Sequence, residues 1–220
     1  MGWEKVVLAN YNSLQKQLHE YSIGIVLVND GSTQHIVSEN IQLLKDNIAL
    51  FTYINYSGNK GKGYALRKGV ESSSSIYHIF TDVDFPYEQE SLLAIFNALH
   101  TGNDVALGSR NDAYYRKTPF LRKIISKLFR WLMAKLLRLN VTDTQCGLKG
   151  FNQKGKEEFL KTTINRFLFD LEFIKRCGEK KALTIKEVPV ELKPNVVFSQ
   201  VKLKILVVEL FNFLGVLLKK

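Results

Sequence analysis

The chain has 220 residues, 45% of them hydrophobic and 11% aromatic, with a formal net charge of +10. That length and apolar content suit one globular domain with a sizeable core and exclude a disordered chain. Two cysteines, Cys146 and Cys177, lack metal-ligand spacing and are too few for a disulfide framework, which points to a reducing compartment.

Trp3, Val6, Val7, Asn10, Leu14 and Leu18 recur at helical spacing and predict a helix over Gly2 to Tyr21. Four short apolar runs follow, Ile23 to Val28, Leu50 to Ile54, Ile76 to Phe80 and Val105 to Leu107, with helical patterns between them. That alternation predicts an α/β domain with a mostly parallel sheet, whose ligands sit at the carboxyl ends of the strands. The chemically unusual residues fall at those ends: Asn29-Asp30-Gly31-Ser32, Asn59-Lys60-Gly61-Lys62-Gly63, Asp82-Val83-Asp84 and Gly108-Ser109-Arg110. Asp82 and Asp84 are the most informative, because side chains alternate along a strand and i, i+2 carboxylates can share one hard cation. Mg²⁺ or Mn²⁺ held by such a pair keeps positions for substrate phosphates. The glycines do not form a phosphate loop, since Tyr64 follows Gly63 where Lys and Ser or Thr would be needed, and no G-x-G-x-x-G joins the first strand to a helix.

Beyond the fourth strand the charge becomes one-sided. Tyr114 to Thr142 holds no acidic residue but eight basic ones, a block that seeks phosphate. Within it, Leu121 to Leu139 alternates apolar and cationic pairs, predicting an amphipathic helix that either packs on the core or lies on anionic lipid with Trp131 near the headgroups. Leu203 to Leu218 is apolar but broken by Lys204, Glu209, Asn212 and Gly215. No run reaches the ~20 uninterrupted apolar residues of a span, and no signal peptide opens the chain. The division expected is therefore a domain over residues 1–198 and an apolar C-terminal helix over 199–220, docked on the core, lying at the membrane surface or paired with a membrane protein.

Taken in order, these motifs and Asp143-Thr144-Gln145-Cys146-Gly147-Leu148-Lys149-Gly150-Phe151 resemble glycosyltransferase family 2, most closely its dolichyl-phosphate and polyprenyl-phosphate sugar transferase branch. The resemblance covers roughly residues 3 to 192 and implies a GT-A nucleotide-sugar-binding domain, Rossmann-like in its α/β layering, that inverts the anomeric centre. It implies that Asn29, Asp30, Gly31, Ser32, Asn59, Lys62 and Asp82 take the nucleotide-sugar, with Asp82 and Asp84 on Mg²⁺ or Mn²⁺. Arg110 and Arg122 match phosphate-gripping positions, and Arg122, Lys123, Ser126, Gln145, Lys149 and Glu172 fall on the acceptor side. The catalytic set is then Asp84, Arg110, Arg122 and Asp170. A lipid phosphate acceptor is already largely anionic at neutral pH and needs alignment rather than a strong base. A sugar hydroxyl, the alternative acceptor in cell-envelope polysaccharide assembly, would need a carboxylate base, for which Asp143, Asp170 and Glu172 are the candidates. The implied setting is cytoplasmic and peripheral to an anionic membrane, with no nucleic-acid partner.

Two features depart from the family. Its opening strand normally ends in a Pro-x-Tyr-Asn-Glu-like signature, whereas Tyr11-Asn12 falls within the first predicted helix here, so the strand before that helix is expected to be missing. An N-terminally shortened active enzyme and a non-catalytic sugar-nucleotide-binding module both follow from that. The second departure is Pro86, which cannot coordinate where the mannosyl branch often places a further polar ligand.

Overall fold

A computed structural model describes residues 2–34, 36–110, 141, 143–144, 146–180, 182–194 and 196. The basic helix, the C-terminal run and the calls on Arg122, Lys123, Ser126 and Gln145 lie outside the described residues.

Helices and strands alternate through the first half: α1 (Trp3–Gln17), β1 (Ile25–Asp30), α2 (Ser38–Asn47), β2 (Phe51–Tyr56), α3 (Lys62–Glu71), β3 (His78–Phe80), α4 (Gln89–His100) and β4 (Val105–Arg110). After the basic block come β5 (Lys149–Phe151), α5 (Gln153–Leu160), α6 (Phe169–Glu179) and β6 (Ile185–Val190). β1 and β2 pair in parallel, and a second sheet has the order β3-β5-β4-β6. There β5 is antiparallel to both β3 and β4, while β4 and β6 are parallel. β3, β4 and β6 thus run one way and only the three-residue β5 runs against them.

Alternation along β4 sorts the core onto two faces. Ala106 belongs to a cluster with Val7 of α1, Leu44 of α2 and Ile95 of α4, and Ile25 and Leu27 of β1 pack on it, so both sheets share this core. Val105 and Leu107 belong to the other cluster, with Val70 of α3, Phe159 of α5 and Phe169 and Phe173 of α6. The result is helices on both faces of a central β layer. Aromatic rings dominate the second cluster: Phe151 and Phe159 stack at 5.0 Å, and Phe173 meets Phe159 edge-on at 5.2 Å. Such pairs each add about 0.5–1.5 kcal/mol to simple burial.

Candidate active site

The polar tips meet at one end of the β layer. At the end of β1, the Asp30 carboxylate accepts the backbone N–H of Lys60 at 2.7 Å and of Gly61 at 2.8 Å, tying the first tip to the second. Gly61-Lys62-Gly63 is glycine-rich because another backbone runs against it. A Cβ on Gly61 would stand 2.4 Å from the Asn165 carbonyl oxygen, and one on Gly63 would stand 2.5 Å from that of Ile164. That carbonyl of Asn165 accepts the Gly63 and Tyr64 N–H groups, which the first turn of a helix leaves without intrahelical partners.

Lys62, the first residue of α3, reaches across to Asp82 with Nζ 2.5 Å from Oδ1. Asp30, Asn59, Lys62 and Asp82 line a single cleft of about 560 Å³, together with Arg166 and Phe167. Asn29 and Ser32 face elsewhere. Asn29 donates to the Ser32 carbonyl and to Asn55 Oδ1 and accepts the Ser32 N–H, so it braces the turn that passes through Gly31, and both border a second hollow of about 270 Å³.

The Asp82-Val83-Asp84-Phe85 turn closes with the Phe85 N–H on the Asp82 carbonyl at 3.0 Å. Phe85 has φ +44°, a strained value for a bulky residue, and burial of its ring holds it there. The turn is clamped from the far side by Tyr87, whose hydroxyl accepts the Gly147 N–H at 3.0 Å. A Cβ on Gly147 would sit 3.1 Å from Asp82 Oδ2, so glycine lets the Cys146-Gly147-Leu148 backbone come in beside the carboxylate. Burial first and the neighbouring Asp82 charge second push the Asp84 carboxyl up. A pair of carboxylates that repel one another, one already carrying an ammonium, is a donor set suited to a hard divalent cation. Among the described residues no group of three or more His, Cys, Asp or Glu could hold a metal, so phosphate oxygens or water would complete the shell.

Behind this front lie two buried ion pairs. Arg110 donates to Asp143 through Nε at 2.6 Å, Nη2 at 2.7 Å and its backbone N–H at 3.0 Å. Burial opposes the Asp143 charge, but the bonds and charge of Arg110 outweigh it and hold that carboxyl below its usual range. Lys149, fully buried in β5, stands 3.0 Å from Asp170 Oδ1 and also donates to the Cys146 carbonyl. Burial pushes the Asp170 carboxyl up despite the Lys149 charge, and Lys62 and Asp82 lie within its electrostatic reach. Glu172 points elsewhere, since i and i+2 on a helix diverge. It accepts the N–H groups of Thr163 and Ile164 at 2.7 and 2.8 Å and the Thr163 hydroxyl at 2.9 Å.

Three contributors escaped the sequence reading. Arg67 is buried and donates to Thr162 Oγ1, the Ile164 carbonyl and Asn165 Oδ1, fastening the loop that caps α3. Tyr87 clamps the turn, and Arg166 lines the cleft. The only available signal was a lone arginine on the otherwise core-facing side of α3.

Comparison with known proteins bears on the fold and the family. The model of glycosyl transferase family 2 matches residues 3–160. A dolichyl-phosphate beta-glucosyltransferase of Saccharomyces cerevisiae is 27% identical over 205 residues, covering 84% of this chain and 61% of its own length. One from Dictyostelium discoideum is 28% identical over 191 residues, covering 81% and 58%. The chain therefore spans about three fifths of the length of these relatives. Among solved structures, glucosyl-3-phosphoglycerate synthase from Mycobacterium tuberculosis, in complex with Mn²⁺, uridine diphosphate and phosphoglyceric acid, superposes with a TM-score of 0.67 at 14% identity, covering 99% of this chain and 74% of that one. That likeness shows the GT-A fold. With the family model covering most of its length, this chain belongs to glycosyltransferase family 2.

Proposed function

We propose that the protein is an inverting hexosyltransferase that moves glucose from a nucleotide-diphosphate sugar to a polyprenyl phosphate such as dolichyl phosphate, at the cytoplasmic face of a membrane to which it attaches peripherally. The convergence of Asp30, Lys62 and Asp82 on one cleft carries the reading. The names of the yeast and Dictyostelium relatives supply the acceptor and the sugar. Among the described residues no helix is long and apolar enough to cross a membrane.

In this reading Asp30 and Asn59 hold the nucleoside end of the donor, and Lys62 swings from Asp82 toward the diphosphate. Asp82 and Asp84 would hold Mg²⁺ or Mn²⁺, and the chemistry such an ion would supply there is Lewis-acid stabilisation of a leaving nucleotide diphosphate. The Arg110–Asp143 and Lys149–Asp170 pairs fix the floor beneath the reacting atoms, where misplacement is costly. Arg122, Lys123, Ser126 and Gln145 grip the acceptor phosphate. Lys149 and Glu172, both buried, act on the acceptor side by positioning Asp170 and the Thr163-Ile164 loop. Basic partners of this kind leave the acceptor oxygen anionic, so the protein aligns it behind the anomeric carbon and supplies no strong base.

A hydroxyl acceptor is the second reading, favoured by Asp170, whose carboxyl burial pushes up and which feels the charges of Lys62 and Asp82, two residues that line the cleft. Transfer from UDP- and GDP-sugars to polyprenyl phosphate, with Mn²⁺, Mg²⁺ or EDTA, tests both. Metal-dependent glucosyl transfer lost in Asp84→Asn, and in Arg122→Ala with nucleotide binding retained, supports the lipid phosphate. Transfer only to saccharides, lost in Asp170→Asn, supports the second reading, and silence with every donor and acceptor sinks both.

A further inference from the structure

Four charged residues line the 560 Å³ cleft: Asp30, Lys62, Asp82 and Arg166. Three of them are already engaged. Asp30 accepts the Lys60 and Gly61 N–H groups, and Lys62 holds Asp82. The fourth is not: among the described residues no side-chain hydrogen bond or ion pair engages the Arg166 guanidinium, and the residue is exposed. An exposed arginine is ordinary where its backbone is loose, because the charge then rests in water. The backbone here is fixed. Residues 161–168 join α5 to α6, and hydrogen bonds secure the stretch that leads to Arg166. Arg67 donates to Thr162 Oγ1 and to the Ile164 carbonyl, and Glu172 accepts the Thr163 and Ile164 N–H groups. The Asn165 carbonyl accepts the N–H groups of Gly63 and Tyr64. On the other side Leu168 is buried, and the Arg166 carbonyl accepts the Phe169 N–H at 3.3 Å.

Arg166 therefore leaves a braced loop at a set point, and that point lies against the second tip. A Cβ on Gly61 would stand 3.2 Å from Arg166 Cγ, so the aliphatic stem of the arginine passes over the turn that carries Lys62. The charge balance of a loaded site calls for a further cation there. Asp82, Asp84 and a sugar-nucleotide diphosphate carry more negative charge than Lys62 and one divalent ion offset. The deficit grows as the glycosidic bond breaks and its electron pair leaves with the nucleotide diphosphate. Lys62 meets such charge as a single point, whereas the planar fork of a guanidinium spans two phosphate oxygens. We infer, on the function proposed above, that Arg166 is a further donor-binding residue whose guanidinium grips the diphosphate of the nucleotide-sugar beside Lys62. The bonds of Arg67 and Glu172 make the loop ready before the donor arrives, so little of the contact is lost to ordering the backbone.

The test measures, by calorimetry with Mg²⁺ present, the binding of UDP, GDP and inorganic pyrophosphate to the full chain. Arg166→Gln, Arg166→Lys and Lys45→Gln are compared with the parent, the last removing an exposed cation of α2. Arg166→Gln is expected to weaken pyrophosphate and the preferred nucleotide by about 10-fold or more with the melting temperature unchanged. Arg166→Lys recovers part of that loss, because the charge is kept and the fork is not. Lys45→Gln binds as the parent does. Parent-like affinity in Arg166→Gln overturns the inference, and so does an equal loss in Lys45→Gln, which would trace the effect to net charge alone. A loss that comes with a lowered melting temperature and is not relieved in Arg166→Lys makes the residue structural and overturns it as well. A raised KM for polyprenyl phosphate with nucleotide affinity unchanged moves the arginine to the acceptor and overturns the donor assignment. Pyrophosphate bound through Arg166 without affinity for either nucleotide keeps the phosphate contact and overturns only the function proposed above. A parent that binds none of the three overturns both.

Discussion

Three N–H groups of one arginine converge on the Asp143 carboxylate, and the pair is almost sealed from solvent. A carboxyl held below its usual range contributes stability that is fully present above the unfolded value near ~3.9 and is lost as pH falls through the folded value. Asp143→Asn leaves the Arg110 charge buried without its counter-ion and is expected to cost about 3 kcal/mol in urea denaturation while flattening the acid limb of the stability curve. The family resemblance marked Arg110 as a phosphate ligand, a role for which a guanidinium fork is suited as it is for any oxyanion. That the oxyanion nearest to hand is a carboxylate thirty-three positions later is a tertiary fact without a local trace. Lys149 and Glu172 follow the same pattern: their residue types advertise charge chemistry, and only the fold shows the partners already engaged. Asp30, Lys62 and Asp82 were legible because the strand-end rule places such residues at a ligand cleft without needing to know their partners.

At the level of elements, strand existence was readable for β1 to β4 and strand extent was not. Asn29 and Asp30 continue the β1 ladder against Asn55 and Tyr56, and Gly108 to Arg110 continue β4 against Val188 to Val190, although both stretches look like turns. A parallel neighbour overrides local turn preference there. β5 is only three residues, with a lysine and a glycine, and β6 contains Pro189, tolerated because β6 closes the sheet at its edge. Neither carries the apolar run by which the other strands were found. β3 holds a titratable group of consequence, His78, half-buried and stacked on Phe151 at 5.7 Å. Burial first and the Lys156 charge second lower its pKa. A histidine kept neutral in the fold contributes stability that is present above its unfolded value near ~6.5 and is lost as pH falls through the folded value. His78→Phe is expected to remove that loss, so melting temperatures of the variant and the parent should coincide more closely at pH 7.5 than at pH 5.5, where the variant melts higher.

Across the whole molecule, the order of motifs sufficed for the fold class because an α/β layer is specified by the succession of elements rather than by any one contact. Among the described residues the β layer is two sheets, β1-β2 and β3-β5-β4-β6, held together by the core they share. The two cysteines divide the molecule in another way: Cys146 adjoins Gly147, which abuts the Asp82 carboxylate at the cleft, and Cys177 lies on α6 within the phenylalanine cluster. Both are buried and both thiols are pushed up by burial, Cys177 to about 12, so neither offers thiolate at neutral pH while the fold is closed. Single-cysteine variants therefore turn alkylation into a clock for each face. Cys146 is expected to label faster than Cys177, by a ratio that shrinks when a nucleotide seals the cleft, giving a readout of occupancy that requires no turnover and no knowledge of the acceptor.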